Sequence, residues 1–384
     1  MTKSTFFLRG LPLLATSLLL ACQPNPQQPA QTAKPTPSPT LAPSTAGAVD
    51  LLQGRQLVSG QLFDAKSRAL VQVETEIRIT GADAAKLEQT GFKTSNGLIG
   101  LVLKPGVKPS SATPLHLTVV AEAAGYFVGS AQVHLSDSLE SFSLNLTSRT
   151  QPPPGVGTAS DNQGAAGLNG ELSKGIQLQA AANGSFASFA LAPGAVLKNA
   201  NGQPLSGPLQ THVGYFSNTT PESLNAFPGG FAPDGVSADG QSQQGYFVTG
   251  GFVSVDITDG AGNKAAQFSQ PAQVTIQIPA GTTNPDTQQP VKAGDTIGIW
   301  SHDTTTGKWS LEGQGQVLAG SNGNFDVTYA VSHLSYWNLD WFYGDRCNPE
   351  LKLNWDSDNH VPVMMSLLMD DANWYTHSNL LQDP

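Results

Sequence analysis

Charged side chains are scarce. Asp, Glu, Lys and Arg make up 12% of the 384 residues, about half of the roughly 25% usual for globular chains. Only 19 residues are basic against 29 acidic, a net charge of −10, and no basic run occurs anywhere. A nucleic-acid partner is therefore not expected, because phosphates need Lys and Arg to displace their counterions. Electrostatic docking on anionic lipid is disfavoured for the same reason. Gly-x-Ser-x-Gly, Walker and dinucleotide fingerprints are all missing, so no nucleophile elbow or phosphate cradle is expected. His116, His134, His212, His302, His360 and His377 show no His-x-x-x-His or His-Glu spacing, so no metal site and no cofactor are expected. Beyond residue 21 no apolar stretch is long enough to cross a bilayer.

Near the N-terminus stands an apolar run, Leu11 to Ala21, preceded by Lys3 and Arg9 and closed by Cys22. It is too short for a comfortable bilayer span and reads as a secretory h-region. Leu19-Leu20-Ala21-Cys22 resembles the lipobox of bacterial lipoproteins. The resemblance implies that residues 1–21 are a signal peptide and that Cys22 is the lipid-attachment residue. Acyl chains there would hold the body to a membrane at about 0.8 kcal/mol per buried methylene. The remaining 363 residues keep 17 basic against 29 acidic side chains, a net charge of −12. Cys347 is then the one free thiol, which excludes an internal disulfide and a cysteine zinc cluster. Gln23 resembles the outer-membrane sorting position of Gram-negative lipoproteins, so the expected location is a bacterial cell envelope, the outer membrane in a Gram-negative cell. Residues 22–48 carry Pro24, Pro26, Pro29, Pro35, Pro37, Pro39 and Pro43 among Gln, Thr, Ser and Ala. They read as a disordered, semi-extended tether of about 3.1 Å per residue.

Residues 49–150 change to period two. Val71, Val73, Thr75, Ile77 and Ile79 alternate with polar neighbours; so do Leu115 to Ala121, Val133 and Leu135, and Phe142 to Leu146. Gln56 to Phe63 and Leu98 to Leu103 add two more strands, and Ala82 to Glu88 a short helix. Six or seven half-buried strands in about a hundred residues predict an antiparallel β-sandwich. Gly60-Gln61-Leu62-Phe63-Asp64, Asn96-Gly97-Leu98 and Ala121-Glu122-Ala123-Ala124-Gly125-Tyr126 resemble carboxypeptidase-regulatory-like and other transthyretin-like sandwiches over residues 54–147.

Gln151-Pro152-Pro153-Pro154-Gly155, followed by a Gly/Asn/Ala-rich stretch to Gly170, marks the boundary of a second region, residues 151–345. Alternation returns at Leu209 to Tyr215, Val253 to Ile257, Val274 to Ile278 and Phe325 to Val331, predicting a second sandwich. Pro221 to Gln244 is a long loop, either mobile or functional. Ala192 to Leu197 with Asn201 to Gly207, Phe252 to Ile257 with Asp259 to Asn263, Thr305 to Trp309, and Val331 to Asn338 resemble the paired sandwich module of netrin receptors, ankyrins and cartilage intermediate layer protein. That resemblance covers residues 168–341 and implies an extracellular structural or interaction module. Residues 346–384, with an apolar run from Val361 to Met369, read as a tail, a strand completing the second sandwich, or the opening of a third.

The sharpest candidate for chemistry is His333-Leu334-Ser335, which resembles the cleavage tripeptide of self-cleaving sandwiches such as the GAIN domains of adhesion receptors. By that resemblance Ser335 would be the nucleophile, Leu334 would carry the scissile carbonyl and His333 would take the proton. Such chemistry needs a base in reach and a strained turn. Asp356-Ser357-Asp358-Asn359-His360 lacks the glycine and closing glutamate of a calcium loop; Asp256, Asp259 and Asn263 read as a hairpin loop, since Asp-Gly is a turn signal. Trp300, Trp309, Trp337, Trp341, Trp355 and Trp374 predict core and edge packing ahead of a glycan platform. The expectation is thus an all-β, lipid-anchored envelope protein with a non-enzymatic structural, adhesion or ligand-binding role. Its partners are the membrane and a protein or glycan on the cell surface. Single-turnover self-cleavage at Leu334-Ser335 and carbohydrate binding are the alternatives.

Overall fold

The computed structural model describes residues 57–137, 141–233, 235–238 and 240–344 and the strands 363–369 and 374–381. The signal peptide, Cys22, the tether, Cys347, Trp355 and the Asp356–His360 run lie outside the described residues. What is described is almost entirely β-structure.

The first sandwich pairs a three-stranded sheet with a four-stranded one. The former has β1 (Leu57–Asp64) between β4 (Leu98–Val102) and β7 (Ser141–Leu146). The latter runs β3 (Gly91–Thr94), β2 (Thr75–Thr80), β5 (Leu115–Ala123) and β6 (Gly129–Leu135). Alternate residues point to opposite faces, and the inward sets, such as Val58, Leu62, Ile77, Leu117, Val119 and Phe142, fill one core. The β1–β7 pairing is parallel, where antiparallel pairing was expected throughout. The predicted strand from Val71 begins only at Thr75, because Val71 donates its N–H to Leu62 O in a bridge outside the ladder. The predicted helix shrinks to a 3-10 turn, Ala84–Lys86.

The second sandwich faces a six-stranded sheet against an eight-stranded one. The smaller sheet runs β9 (Ile176–Ala182), β10 (Ser185–Leu191), β16 (Gln267–Ile278), β22 (Phe325–His333) and β21 (Leu318–Ala319), with β11 (Leu197–Lys198) also on β16. Asn183 and Gly184 join β9 to β10, both at positive φ, 51° and 79°; this is the geometry a two-residue hairpin demands. The larger sheet runs β14 (Gln241–Gln243), β13 (Val236–Ala238), β20 (Lys308–Gln316), β19 (Thr296–Asp303), β23 (Tyr336–Tyr343), β15 (Tyr246–Asp259), β12 (Gly207–Phe216) and β8 (Val156–Ala166). Small strands β17 (Thr283–Asn284) and β18 (Gln289–Pro290) pair with each other, as do β24 (Val363–Met369) and β25 (Trp374–Leu381). Among the described residues β24 and β25 join no sheet of either sandwich.

The Gly/Asn/Ala-rich stretch after Gly155 supplies edge strand β8. An edge needs backbone groups more than large side chains, so small residues serve there.

A third core holds the two sandwiches together. The outer face of the eight-stranded sheet carries Phe216, Phe247, Phe252, Trp300, Trp309 and Tyr336, all buried. The long loop after Thr220 closes over it. Its short helix α1 (Pro221–Leu224) leads to Phe227, which stacks on Phe231 at 4.1 Å and on Trp309 at 5.0 Å. Trp309 Nε1 donates to Pro228 O at 3.0 Å. The loop is therefore a folded strap, and β13 extends it by pairing parallel to β20. From the first sandwich comes Phe127, 1% exposed, 5.9 Å from Phe216.

Polar contacts surround this apolar joint. Thr80 Oγ1 donates to Thr306 O at 2.7 Å, and Tyr336 OH donates to Val128 O at 2.8 Å. Arg149 reaches Asp256 at 2.6 Å, and Lys264 reaches Glu122 at 2.5 Å. The joint explains why Thr118 and Val120, on the outward face of β5, are buried.

Candidate functional site

The inner face of the eight-stranded sheet presents Val253, Val255, Ile297, Ile299, Trp337, Leu339 and Trp341 to the six-stranded sheet. One residue over, each strand turns to the outer face. In β23 this gives Tyr336, Asn338, Asp340 and Phe342. The sheet register sets Gly298 of β19 and Thr249 of β15 on either side of Asp340.

Gly298 makes room there. A Cβ at that position would lie 2.6 Å from Trp300 Nε1 and 2.8 Å from Asp340 O, so only glycine lets the indole settle over β19. Trp300 then meets Phe247 at 5.0 Å and Phe342 at 5.3 Å. The result is a cavity of about 300 Å³ on the outer face, walled by Trp300, Leu311, Gln314, Asp340 and Phe342 and joined by Asp286. Asp286 accepts a hydrogen bond from Tyr343 OH at 2.5 Å.

Asp340 is the unusual member. It is 1% exposed, and neither carboxyl oxygen has a hydrogen-bond partner. Thr249, its partner across the ladder, has its hydroxyl 2.8 Å from Asn338 Oδ1, to which it donates. Burial pushes the Asp340 carboxyl well above the ordinary carboxylate value, and the neighbouring Thr249 hydroxyl offsets only part of this, since desolvation penalises the charged form. Trp300 Nε1 is likewise buried without a partner. Native structures leave few such groups unsatisfied, because each costs about 1–3 kcal/mol.

A second buried titratable group lies in the joint. His302, 1% exposed, has Nε2 3.3 Å from Ser130 Oγ of the first sandwich, while Nδ1 lacks a partner. Its ring packs on Trp309 at 4.9 Å. Desolvation lowers its pKa to about 4.

The tripeptide His333-Leu334-Ser335 spans the end of β22 and the turn into β23. Ser335 is buried, and its hydroxyl donates to His302 O. The His333 ring lies 3.6 Å from Glu312 and 4.8 Å from the Trp337 ring. Glu312 holds the His333 imidazole above its ordinary value, favouring the cation over the neutral base that an attack by Ser335 would need. Leu334 packs on the sandwich core, with its N–H on Ala266 O at 3.3 Å. None of the three takes a positive φ. The structure thus gives the hydroxyl and the imidazole separate partners.

Asp259 closes a hairpin loop. Its Oδ1 accepts the N–H groups of Ala261 and Asn263 at 3.0 and 2.9 Å, while Asp256 is held by Arg149. His134 is exposed, and its ring lies 4.6 Å from that of His116 across the β5–β6 ladder. His212 is half-buried, where desolvation lowers its pKa. Among the described residues no three His, Cys, Asp or Glu side chains converge as a metal site. Trp300, Trp309, Trp337 and Trp341 are all buried, at most 5% exposed, so no indole of these four is offered to a flat glycan.

Sequence reasoning passed over Asp340 and Gly298 and weighed His302 only as a metal ligand. The available signal was an acid inside the aromatic run Tyr336-Trp337-Asn338-Leu339-Asp340-Trp341-Phe342-Tyr343. No family model matches the chain, and no curated protein matches it either.

Proposed function

We propose that this protein is a lipid-anchored cell-envelope protein whose folded body serves a non-enzymatic structural, adhesion or ligand-binding role. The observation that carries the anchoring is Leu19-Leu20-Ala21-Cys22, after an apolar run led by Lys3 and Arg9. The seven prolines from Pro24 to Pro43 support it, because a semi-extended tether sets a folded body away from a lipid surface. Short motifs in the second sandwich resemble extracellular modules, which fits display on the outside of a membrane. The shared aromatic core adds a mechanical argument. Two sandwiches joined by Phe127, Phe216 and the strap make a stiff body suited to holding a surface at fixed geometry.

Metabolic labelling with a palmitate analogue tests the anchor. The wild-type chain should incorporate label and fractionate with membranes; Cys22→Ala should do neither. Label persisting in the Cys22→Ala chain would sink the reading.

A further inference from the structure

We propose that the joint between the two sandwiches is an acid-operated hinge. It is closed at neutral pH and opens as its buried histidine, and then its bridging acids, take up protons, while each sandwich stays folded. The device does not depend on Cys22, so it and the anchoring reading fail independently.

The covalent connection allows such a motion. Between Leu57 and Gly344 the chain passes from one sandwich to the other once. Arg149 still belongs to the first, its N–H on Gly125 O at 2.8 Å, and Pro154 O already accepts from Thr220 Oγ1 of the second at 3.2 Å. The crossing is therefore Thr150 to Pro153. Pro152 and Pro153 restrict it to a few extended shapes, which suits a hinge better than a loose tether.

The links across the joint are ones that acid weakens. His302 lies inside it, Nε2 3.3 Å from Ser130 Oγ of β6 and Nδ1 without a partner. The side chains packed around the ring carry no charge. They are Ser130 from the first sandwich, Trp309 from β20 and Tyr336 from β23, whose phenol is kept neutral by burial and donates to Val128 O. From the strap, Gly229 donates its N–H to Ser130 O at 3.0 Å. Next on β19 comes Asp303, opposite Lys308. Its carboxyl accepts from Thr305 N–H and Thr306 Oγ1, both at 2.7 Å. Burial holds the His302 ring neutral and outweighs Asp303 and the Gly307 backbone, which favour the cation. A proton on His302 thus creates a buried cation beside an acid already engaged elsewhere. Parting β6 from β19 gives that cation water.

Two ion pairs respond later. Arg149 holds Asp256 across the joint, and Glu122 holds Lys264 across it and Arg78 on its own side. Burial raises the Glu122 carboxyl, but Lys264 and Arg78 more than reverse this, so its folded value is lowered. That pair is lost only as pH falls below the ordinary carboxylate range. His302 therefore acts first. Opening uncovers Phe127 and Val120 on one side and Phe216 on the other, apolar groups hidden at neutral pH.

Native-state hydrogen exchange of the full chain, followed by NMR and corrected for intrinsic exchange rates, tests the hinge. The Gly229 amide bonds across the joint and reports its opening; those of Val119 in β5 and Phe189 in β10 lie in the sandwich ladders. An imidazole passing from about 4 to its ordinary 6.5 on opening predicts that Gly229 loses protection about twentyfold between pH 7 and pH 5. Its exchange should depend weakly on low urea, as local opening does, and that of Val119 and Phe189 steeply. His302→Gln should remove the acceleration at Gly229. Should His302→Gln not fold, the wild-type pH and urea dependences still decide. Protection of Gly229 unchanged by pH 5, a urea dependence at Gly229 as steep as at Phe189, or full acceleration in His302→Gln would each overturn the proposal.

Discussion

The two faces of the eight-stranded sheet are built from the same strands and solve opposite problems. Its inner face meets the six-stranded sheet through Val, Ile, Leu and the indoles of Trp337 and Trp341. The orphan polar atoms on those indoles are neutral N–H groups, and the face reads as an ordinary sandwich core. The outer face is larger in its rings and stranger in its polar groups. It buries a partnerless acid, a histidine held neutral, and an aromatic cluster completed by the strap and by Phe127 of the other sandwich. The comparison teaches that stability and specialisation are divided between faces. One face holds the sandwich together; the other joins it to its neighbour and keeps groups that cost energy.

Core truncations should separate the faces most strongly. Phe189→Ala on the inner side and Phe227→Ala on the outer side each remove a buried ring and should cost roughly 3–5 kcal/mol. The difference lies in what unfolds. Denaturation followed by hydrogen exchange should show Phe227→Ala loosening both the strap and the strands around Val120, whereas Phe189→Ala spares the first sandwich. Equal effects on the first sandwich would dissolve the distinction.

The next largest effect is a pH dependence. His302 has a folded pKa of about 4 against an ordinary 6.5, so between these values the unfolded chain binds the extra proton. Stability is then full above about pH 6.5 and falls by about 3 kcal/mol as pH drops toward 4. Chemical denaturation across this window should show that slope, and His302→Gln should flatten it. An unchanged slope would mean that the joint admits water.

Asp340 should act in the opposite direction. Its folded value is raised, so the unfolded chain loses its proton first and stability falls as pH rises above the ordinary carboxylate range. Asp340→Asn should therefore be more stable than wild type at pH 8, by roughly 1–3 kcal/mol, with the gap closing near pH 4. A variant weaker than wild type at pH 8 would indicate a partner for the carboxyl. The smallest effect belongs to Lys264→Ala, which breaks a half-exposed pair with Glu122 across the joint. It should cost about 0.2–1 kcal/mol, less at high salt.

Legibility in the sequence followed solvation. Strands with one wet face announced themselves by alternation, as at Phe142 to Leu146 in β7 and Phe325 to Val331 in β22. Two strands covered on both faces did not. β19 from Ile297 to His302 and β23 from Tyr336 to Trp341 are buried throughout, and continuous burial erases the period of two. The same cause hid the candidate site, which lies where those two strands meet. Val120, apolar at an outward position of β5, was an early sign that this face was also covered. The strap reads only as a long loop because Phe227 and Phe231 sit among Gly and Pro with no periodicity, and the rings of Trp309 and Phe252 give Phe227 its place.

The contrast between the faces rests on the state of one carboxyl. Carbon-13 NMR of the chain labelled at Asp side-chain carboxyls, with Asp340→Asn to assign the signal, reads that state directly as pH is varied. The account predicts that the Asp340 carboxyl titrates well above the exposed aspartates. A signal that titrates near pH 4, like an exposed aspartate, would contradict it.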